Sequence, residues 1–444
     1  MLAMTASPFL ALPGAVEGSG DAAGVPAHYG NPLREQRRLL GGAIVDLSNR
    51  GVLSVTGVDR LSWLDSVTSQ SLKNLTPGSS AETLLLDPSG RIEHAIRVFD
   101  DGVTAWLLID SAETLPLYTW LDRMRFTLRV EVADRTDEFA TVGWAPVADS
   151  ALESAGEGEA GAAAAVEAFV SAPNGLAVVW RDPWSAVVTG GHQYAEIDEH
   201  PGADYSWSEV LVARDELPAL AAAASRGEIE VAGTLAAEAL RIAAWRPRLA
   251  TEADERLIPH EVDWMRSAVH LNKGCYRGQE TVAKVHNLGH PPRRLVLLHL
   301  DGSDSVLPAP GDEVRVQDAR ADAEATPAAA GSGSAGSDSA DSDAAGSGAV
   351  GSGSAGPNSA GPNSAGLNSA GPNSVGTITA SAQHFELGPI ALAIVKRSTP
   401  VDAVLVVASE GILVPAAQEI IVPPEAGAAV GRIPRLPRLS AQRR

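Results

Sequence analysis

Asn272-Lys273-Gly274-Cys275-Tyr276-Arg277-Gly278-Gln279-Glu280 sets the chain's only cysteine two residues from one of its four lysines. Apart from Lys73, Lys284 and Lys396, every other basic residue is arginine. A lysine here therefore suggests that a compact ammonium is wanted. Gly274 and Gly278 permit a tight turn and close approach of backbone to a ligand. Cys275 lies between Lys273 and Arg277, whose charges favour a thiolate, and a helix starting near Gln279 would add its N-terminal dipole. Tyr276 offers a flat face and a hydroxyl, Arg277 a fork suited to a carboxylate. The competing reading of the same residues is a surface turn whose cysteine is merely small.

The rest of the chain narrows the classes. At 444 residues it is too long for one ordinary domain. With 45% hydrophobic residues it can bury a core. One cysteine excludes an intramolecular disulfide and any four-thiolate zinc or iron–sulfur site within one chain. The net charge of −21 opposes binding to nucleic acid or to an anionic membrane. No apolar run approaches the ~20 residues of a membrane span, and MLAMTASPFLALPGAVEGSG has no basic start of a signal peptide, so the expected location is the cytoplasm.

Residues 1–30 are rich in Ala, Gly and Pro and are expected to be a mobile tail. A first α+β unit spans 40–145. It has strands at 43–47 and 51–55, a helix capped by Asp59, and a hairpin turning at Asp87-Pro88-Ser89-Gly90. The return strand alternates, with Ile92, His94, Ile96 and Val98 on one face. A linker or insertion at 150–168 leads to a second α+β unit over 170–290. Strands then dominate 291–425, suggesting a terminal β-barrel. Residues 318–376 interrupt it. This low-complexity insert contains the repeat Ser354-Ala355-Gly356-Pro357-Asn358 and is expected to be disordered. Gly331-Ser332-Gly333-Ser334-Ala335-Gly336 within it matches GxGxxG by letters, but no strand precedes it and no helix follows. Residues 426–444 form a basic tail.

Lys273-Gly274-Cys275-Tyr276-Arg277-Gly278-Gln279-Glu280 resembles the K-G-C-Y-x-G-Q-E signature of YgfZ-type folate-binding proteins, relatives of the glycine-cleavage T-protein. The resemblance extends to Arg241–Arg248, to Pro259-His260-Glu261 and to Leu387–Ala393, and more weakly to Val55–Asp59 and Leu86–Arg91. It implies an α+β fold in which two related units surround a folate-sized hole, with a C-terminal β-barrel. It implies tetrahydrofolate as cofactor and iron–sulfur client or assembly proteins as partners, including tRNA-modifying enzymes among the clients. Whether such a protein turns anything over is left open by the residues.

The resemblance also distributes roles. Cys275 becomes the reactive thiol, with Lys273 and Arg277 favouring its thiolate and attracting the glutamyl carboxylates of the folate. Tyr276, Gln279 and Glu280 line or brace the site, although Glu280 reads equally as a helix-start residue. His94 is a hydrogen-bonded core residue or a group near the folate hole. Trp245 stacks on the pterin or packs in the core. The T-protein branch carries G-G-I-x-D-D, whose acid serves aminomethyl transfer. Here Gly90-Arg91-Ile92-Glu93-His94-Ala95 replaces both acids, and alternation points Glu93 away from His94's face. That disfavours the transferase alternative, while a ligand-free scaffold is the third reading. His286-Asn287-Leu288-Gly289-His290 has metal-ligand spacing, but Gly289 and Pro291-Pro292 break the helix it needs, so no metal is expected.

Overall fold

The computed structural model describes residues 6–145, 166–303, 306–317 and 373–430. Residues 6–30, expected to be a tail, are packed. They form β1 (Val16–Glu17) and β2 (Pro26–His28), bury Phe9 and Val25 completely, and bond Ser7 Oγ to the Asp46 carboxylate. The apolar anchors here are single residues among small ones, so no periodicity announces them.

Helix α1 (Pro32–Leu40), capped by the Asn31 side chain, leads into β3 (Ile44–Asp46) and β4 (Gly51–Thr56). Helix α2 (Arg60–Val67) follows Asp59, whose carboxylate binds Arg129 rather than capping the helix. Then come β5 (Ser79–Leu86), β6 (Ile92–Asp100), β7 (Thr104–Ile109), helix α3 (Thr114–Met124) and β8 (Glu131–Asp134). The first sheet has the order β5-β6-β7-β4-β8 and is antiparallel. The expected hairpin turn is present: Gly90 N–H donates to Asp87 O at 3.0 Å, and the Asp87 carboxylate accepts from Arg91 N–H.

The second sheet adds β9 (Phe139–Trp144), β10 (Val179–Arg181), β11 (Ser208–Ala213) and β12 (Val231–Ala232), in the order β10-β11-β9-β3-β12. Thus β3 and β9, which a linear division places in the first unit, pair in the second sheet. Local pattern marks a strand but not its distant partner, so the two units interlock rather than follow one another. Helices α4 (Leu217–Ser225), α5 (Thr234–Ala243), α6 (Leu249–Glu252) and α7 (Gln279–Leu288) complete this half.

The C-terminal part is a closed six-stranded barrel in the order β13-β16-β15-β14-β17-β18. Its strands are β13 (Arg293–Leu300), β14 (Glu313–Val316), β15 (Ser374–His384), β16 (Gly388–Lys396), β17 (Leu405–Ser409) and β18 (Ile412–Ile420). Val296, Leu298, Val314, Ile378, Ala393 and Val407 fill it, and closure leaves no sheet edge. Residues 374–376 of the expected insert belong to the barrel, since β15 starts at Ser374; residues 318–372 lie outside the described residues. So do most of 150–168, except for its end, where Val166 is buried, and 431–444 of the basic tail.

Candidate functional site

The 273–280 segment is a loop pinned to the β5–β6 turn. Gly278 has φ +83°, and a Cβ there would stand 2.6 Å from Asp87 O and 3.0 Å from Gly90 Cα. Glycine at 278 is thus required by conformation and by contact. Helix α7 starts directly after it, with Glu280 exposed in the first turn, where a carboxylate suits the helix dipole.

The cations of this loop bond groups other than Cys275. Lys273 Nζ donates to the backbone carbonyls of Thr68 (2.8 Å), Gln70 (2.7 Å) and Asp65, and lies 3.7 Å from the Asp65 carboxylate. Burial pulls its pKa down to about 8, against the opposing pull of Asp65. Arg277 forks onto Glu93 at 2.5 and 3.2 Å. Tyr276 is buried in the core beneath the Lys273 ammonium, 5.3 Å from ring centre to Nζ. Gln279 reaches back to the carbonyls of Lys273 and Gly274. Cys275 is exposed and free. Lys273 and Arg277, expected to favour the thiolate and to draw in folate carboxylates, are engaged by backbone carbonyls and by Glu93.

A polar cavity lies elsewhere, where the two sheets meet α5. It is narrow, about 50 Å³, because its charged side chains fill it in pairs, and it adjoins a wider space of about 270 Å³ that shares its wall. None of residues 273–280 lines either. The cavity walls hold five guanidiniums and six carboxyls. Arg246 donates to Glu82 (2.6 Å) and Asp182 (2.9 Å) and lies against Trp184 and Trp264. Arg97 stands 3.5 Å from both Asp110 and Glu209, and Arg50 also pairs with Glu209. Arg241 binds Glu238 and Glu252, and Arg248 spans Asp110, Glu238 and Asp21. Tyr205, Trp207 and Trp264 supply the flat surfaces.

Such a buried ionic network polarises its members unequally. Burial acts to raise Asp110, but the Arg248, Arg97 and Arg50 charges overcome it and hold that carboxyl far below its usual range. Glu238 is likewise pulled down to about 2, against burial, by Arg241 and Arg248. Asp182 goes the other way, to about 6, because burial and the like charge of Glu82 outweigh Arg246. Glu113 is also raised, by burial first and then by Asp110.

The structure sorts the expected site residues into three groups. Lys273, Tyr276, Arg277, Gln279 and Glu280 brace the loop, leaving Cys275 at the surface. His94 faces the core as alternation requires, and its Nδ1 meets Glu113 Oε1 at 3.0 Å; it touches the cavity only through that carboxyl. Trp245 is 1% exposed among Trp184, Ile242 and Trp264, at φ +60°, and its ring packs edge-on to His200. It is core, and Trp207 and Trp264 take the wall positions instead. The cavity residues were partly foreshadowed by the Arg241–Arg248 segment. Glu82, Arg97, Asp110, Asp182 and Glu209 sit singly on separate strands and loops, so no spacing links them.

His286 ends up on α7 bonded through Nδ1 to Tyr194 Oη (2.8 Å), whereas His290, beyond the helix end at Gly289, binds Ala426 O. The pair does not converge, and among the described residues no group of three or more His, Cys, Asp or Glu could hold a metal ion. Among those residues, no helix is long and apolar enough to cross a membrane.

No family model matches the chain. An Arabidopsis thaliana protein described as "Putative transferase At1g60990, chloroplastic" is 24% identical over 290 residues, 62% of this chain and 59% of that protein. The chain thus spans about three fifths of that relative's length. Among solved structures, the glycine cleavage system aminomethyltransferase T from Bartonella henselae superposes with a TM-score of 0.61 at 15% identity, covering 93% of this chain and 95% of the other. The fold is of the glycine-cleavage T-protein kind: mixed α+β with a C-terminal barrel.

Proposed function

We propose that this chain binds a reduced folate in the arginine–carboxylate cavity and acts as a YgfZ-type accessory protein in iron–sulfur cluster assembly or repair, supporting enzymes that include tRNA-modifying ones. One observation carries the folate reading. Arg246 Nη1 and Glu209 Oε2 are buried polar atoms of the cavity residues with no hydrogen-bond partner among the described residues, while Arg248 Nε and Asp110 Oδ2 face each other at 3.4 Å without making one. Orphaned donors and acceptors of this kind are costly. A pterin ring presents both along its edge and a flat face to Trp207, and the wider adjoining space leaves room for the rest of the folate, so the residues fit it. When bound, the folate supplies one-carbon chemistry through its ring nitrogens. The chain's arginines and carboxylates orient the ring, and the tryptophans exclude water.

The iron–sulfur role rests on the resemblance of residues 273–280 and on the exposure of Cys275. A surface thiol is reachable by a partner protein, and one chain with one cysteine shares any cluster contact with that partner. Titration with tetrahydrofolate, read by tryptophan fluorescence, tests the folate reading. Saturable quenching is expected, weakened more than about tenfold in Glu209→Gln, which removes a hydrogen-bonded charge. No saturable change at millimolar ligand would sink it.

A second reading, a folate-dependent aminomethyl- or methyltransferase, is favoured by one feature: Glu113 places an acid beside Ala95 in the cavity although positions 94 and 95 are not acidic. Transfer from a methylamine or lipoyl-bound donor to tetrahydrofolate would establish it.

A further inference from the structure

Beyond Arg97, the edge of β6 has no strand partner on the β7 side, because pairing with β7 begins at Arg97–Leu108. The turn after β7 fills the vacancy with Glu113. Its Oε1 accepts from Ala95 N–H (3.3 Å) and meets His94 Nδ1 (3.0 Å). Glu113 lines both spaces and so stands on their shared wall. No bond to its Oε2 from a described residue accompanies these.

The charge around it is uneven. Six carboxyls face five guanidiniums in the cavity, and Arg241 and Arg248 also hold Glu252 and Asp21, so carboxyls outnumber guanidiniums; Asp182, itself raised by burial, is held by Arg246. Asp110 on the same turn and Glu238 on α5 are both held ionised by arginines. Arg97 from β6, Arg50 from the turn after β3 and Arg248, itself held by Asp21, are committed to those other carboxylates. Glu113 forms no ion pair with any of the five, and burial raises it toward the neutral acid.

We infer that Glu113 is the proton-exchanging group of this cavity: its carboxyl gives its proton to a basic ring nitrogen of the bound ligand, and His94 is the positioning residue that fixes the carboxyl against the β6 edge. The balance is simple. The O–H bond of the acid breaks, an N–H bond forms on the ligand, and a carboxylate–cation pair remains, with no electron transferred. The inference rests on the folate reading for the ligand's identity, but not for Glu113's own titration.

Calorimetry of tetrahydrofolate binding in buffers of different ionisation enthalpy reads the proton. Above the pKa of Glu113, wild type takes up protons on binding, and its affinity falls about tenfold for each pH unit in that range. Glu113→Gln is expected to take up none beyond what the ligand itself contributes. Glu113→Asp keeps uptake with a shifted pH midpoint. Equal uptake in wild type and Glu113→Gln overturns the inference. His94→Gln, which can still donate to the carboxyl, retains uptake; if it abolishes uptake while affinity stands, the positioning role is wrong. Should neither wild type nor variant bind tetrahydrofolate, the folate reading fails, and infrared spectra of the ligand-free protein decide the rest. In the difference spectrum of wild type minus Glu113→Gln, which cancels Asp182, a protonated-carboxyl band that persists above the ordinary glutamate range supports the inference; its loss within that range overturns it.

Discussion

The cavity and the 273–280 loop both bury cations, but they neutralise them by different means. Arg246 in the cavity is held by two side-chain carboxylates from distant segments, Glu82 and Asp182. Lys273 in the loop is held mainly by three backbone carbonyls of one neighbouring stretch, 65–70. The first arrangement leaves charges of both signs facing a space, with polar atoms unpaired. The second consumes every donor and leaves nothing to offer a ligand. A conspicuous motif can therefore be scaffolding, while the polar site is assembled from residues with no signature of their own.

The sharpest way to break this contrast is Arg246→Ala. Removing one partner of a buried ionic set leaves Glu82 and Asp182 facing each other without the guanidinium. A loss of about 3–5 kcal/mol in denaturant unfolding is expected, together with loss of folate binding. A loss below about 1 kcal/mol, typical of exposed pairs, would mean that water already solvates the cavity charges and that the network is not a built site.

Next in size is a pH effect confined to the cavity. Asp182 has a folded pKa raised to about 6, above the ordinary aspartate value. The folded state then holds a proton that the unfolded state has released. Its contribution is present at low pH and is lost as pH rises from the usual aspartate range through about 6. Relative to Asp182→Asn, wild type should lose stability across that interval and run parallel above it. The loop titrates at the other end and with the opposite sign. Lys273 has a folded pKa depressed to about 8, so between there and its ordinary value the unfolded state binds the extra proton, and stability rises with pH. Unfolding curves across both ranges, in wild type, Asp182→Asn and Lys273→Met, separate the regions.

Lys273→Met should cost about 2–3 kcal/mol, because it orphans the carbonyls of Asp65, Thr68 and Gln70, some of which water can reach. Folate affinity should change less than about threefold if the loop is support. A collapse of affinity with little loss of stability would return the loop to the binding site.

How much of this was legible depends on where the information sits. The Asp87–Gly90 hairpin and the barrel strands up to β17 are written in contiguous residues and are found as expected, whereas β18, which closes the barrel, was not anticipated. The alternation Ile92-Glu93-His94 correctly puts Glu93 outside, where Arg277 meets it. The membership of β3 and β9 in the second sheet, and the packing of Phe9, depend on pairing across long separations, which no local pattern encodes. The cavity was illegible for the same reason: Glu82, Asp110, Asp182 and Glu209 are each an ordinary acid in sequence and become a site only through the meeting of two sheets. Proximity in sequence misled at Lys273 and Arg277, whose side chains point to backbone and to Glu93 rather than to the thiol between them.

Cys275→Ser is the smallest structural perturbation and the most informative functional one. The sulfur is exposed and makes no hydrogen bond among the described residues, so stability should stay within about 0.5 kcal/mol of wild type. Folate affinity should be unchanged, since the residue lines neither space. Thiolate chemistry, by contrast, is lost with the sulfur. In a deletion strain, dependence of iron–sulfur enzyme activity on Cys275, with folding and folate binding intact, would assign the loop a partner-facing task separate from the cavity. Full activity of the serine variant would leave the loop as scaffolding alone, and the whole burden of function would fall on the charged cavity.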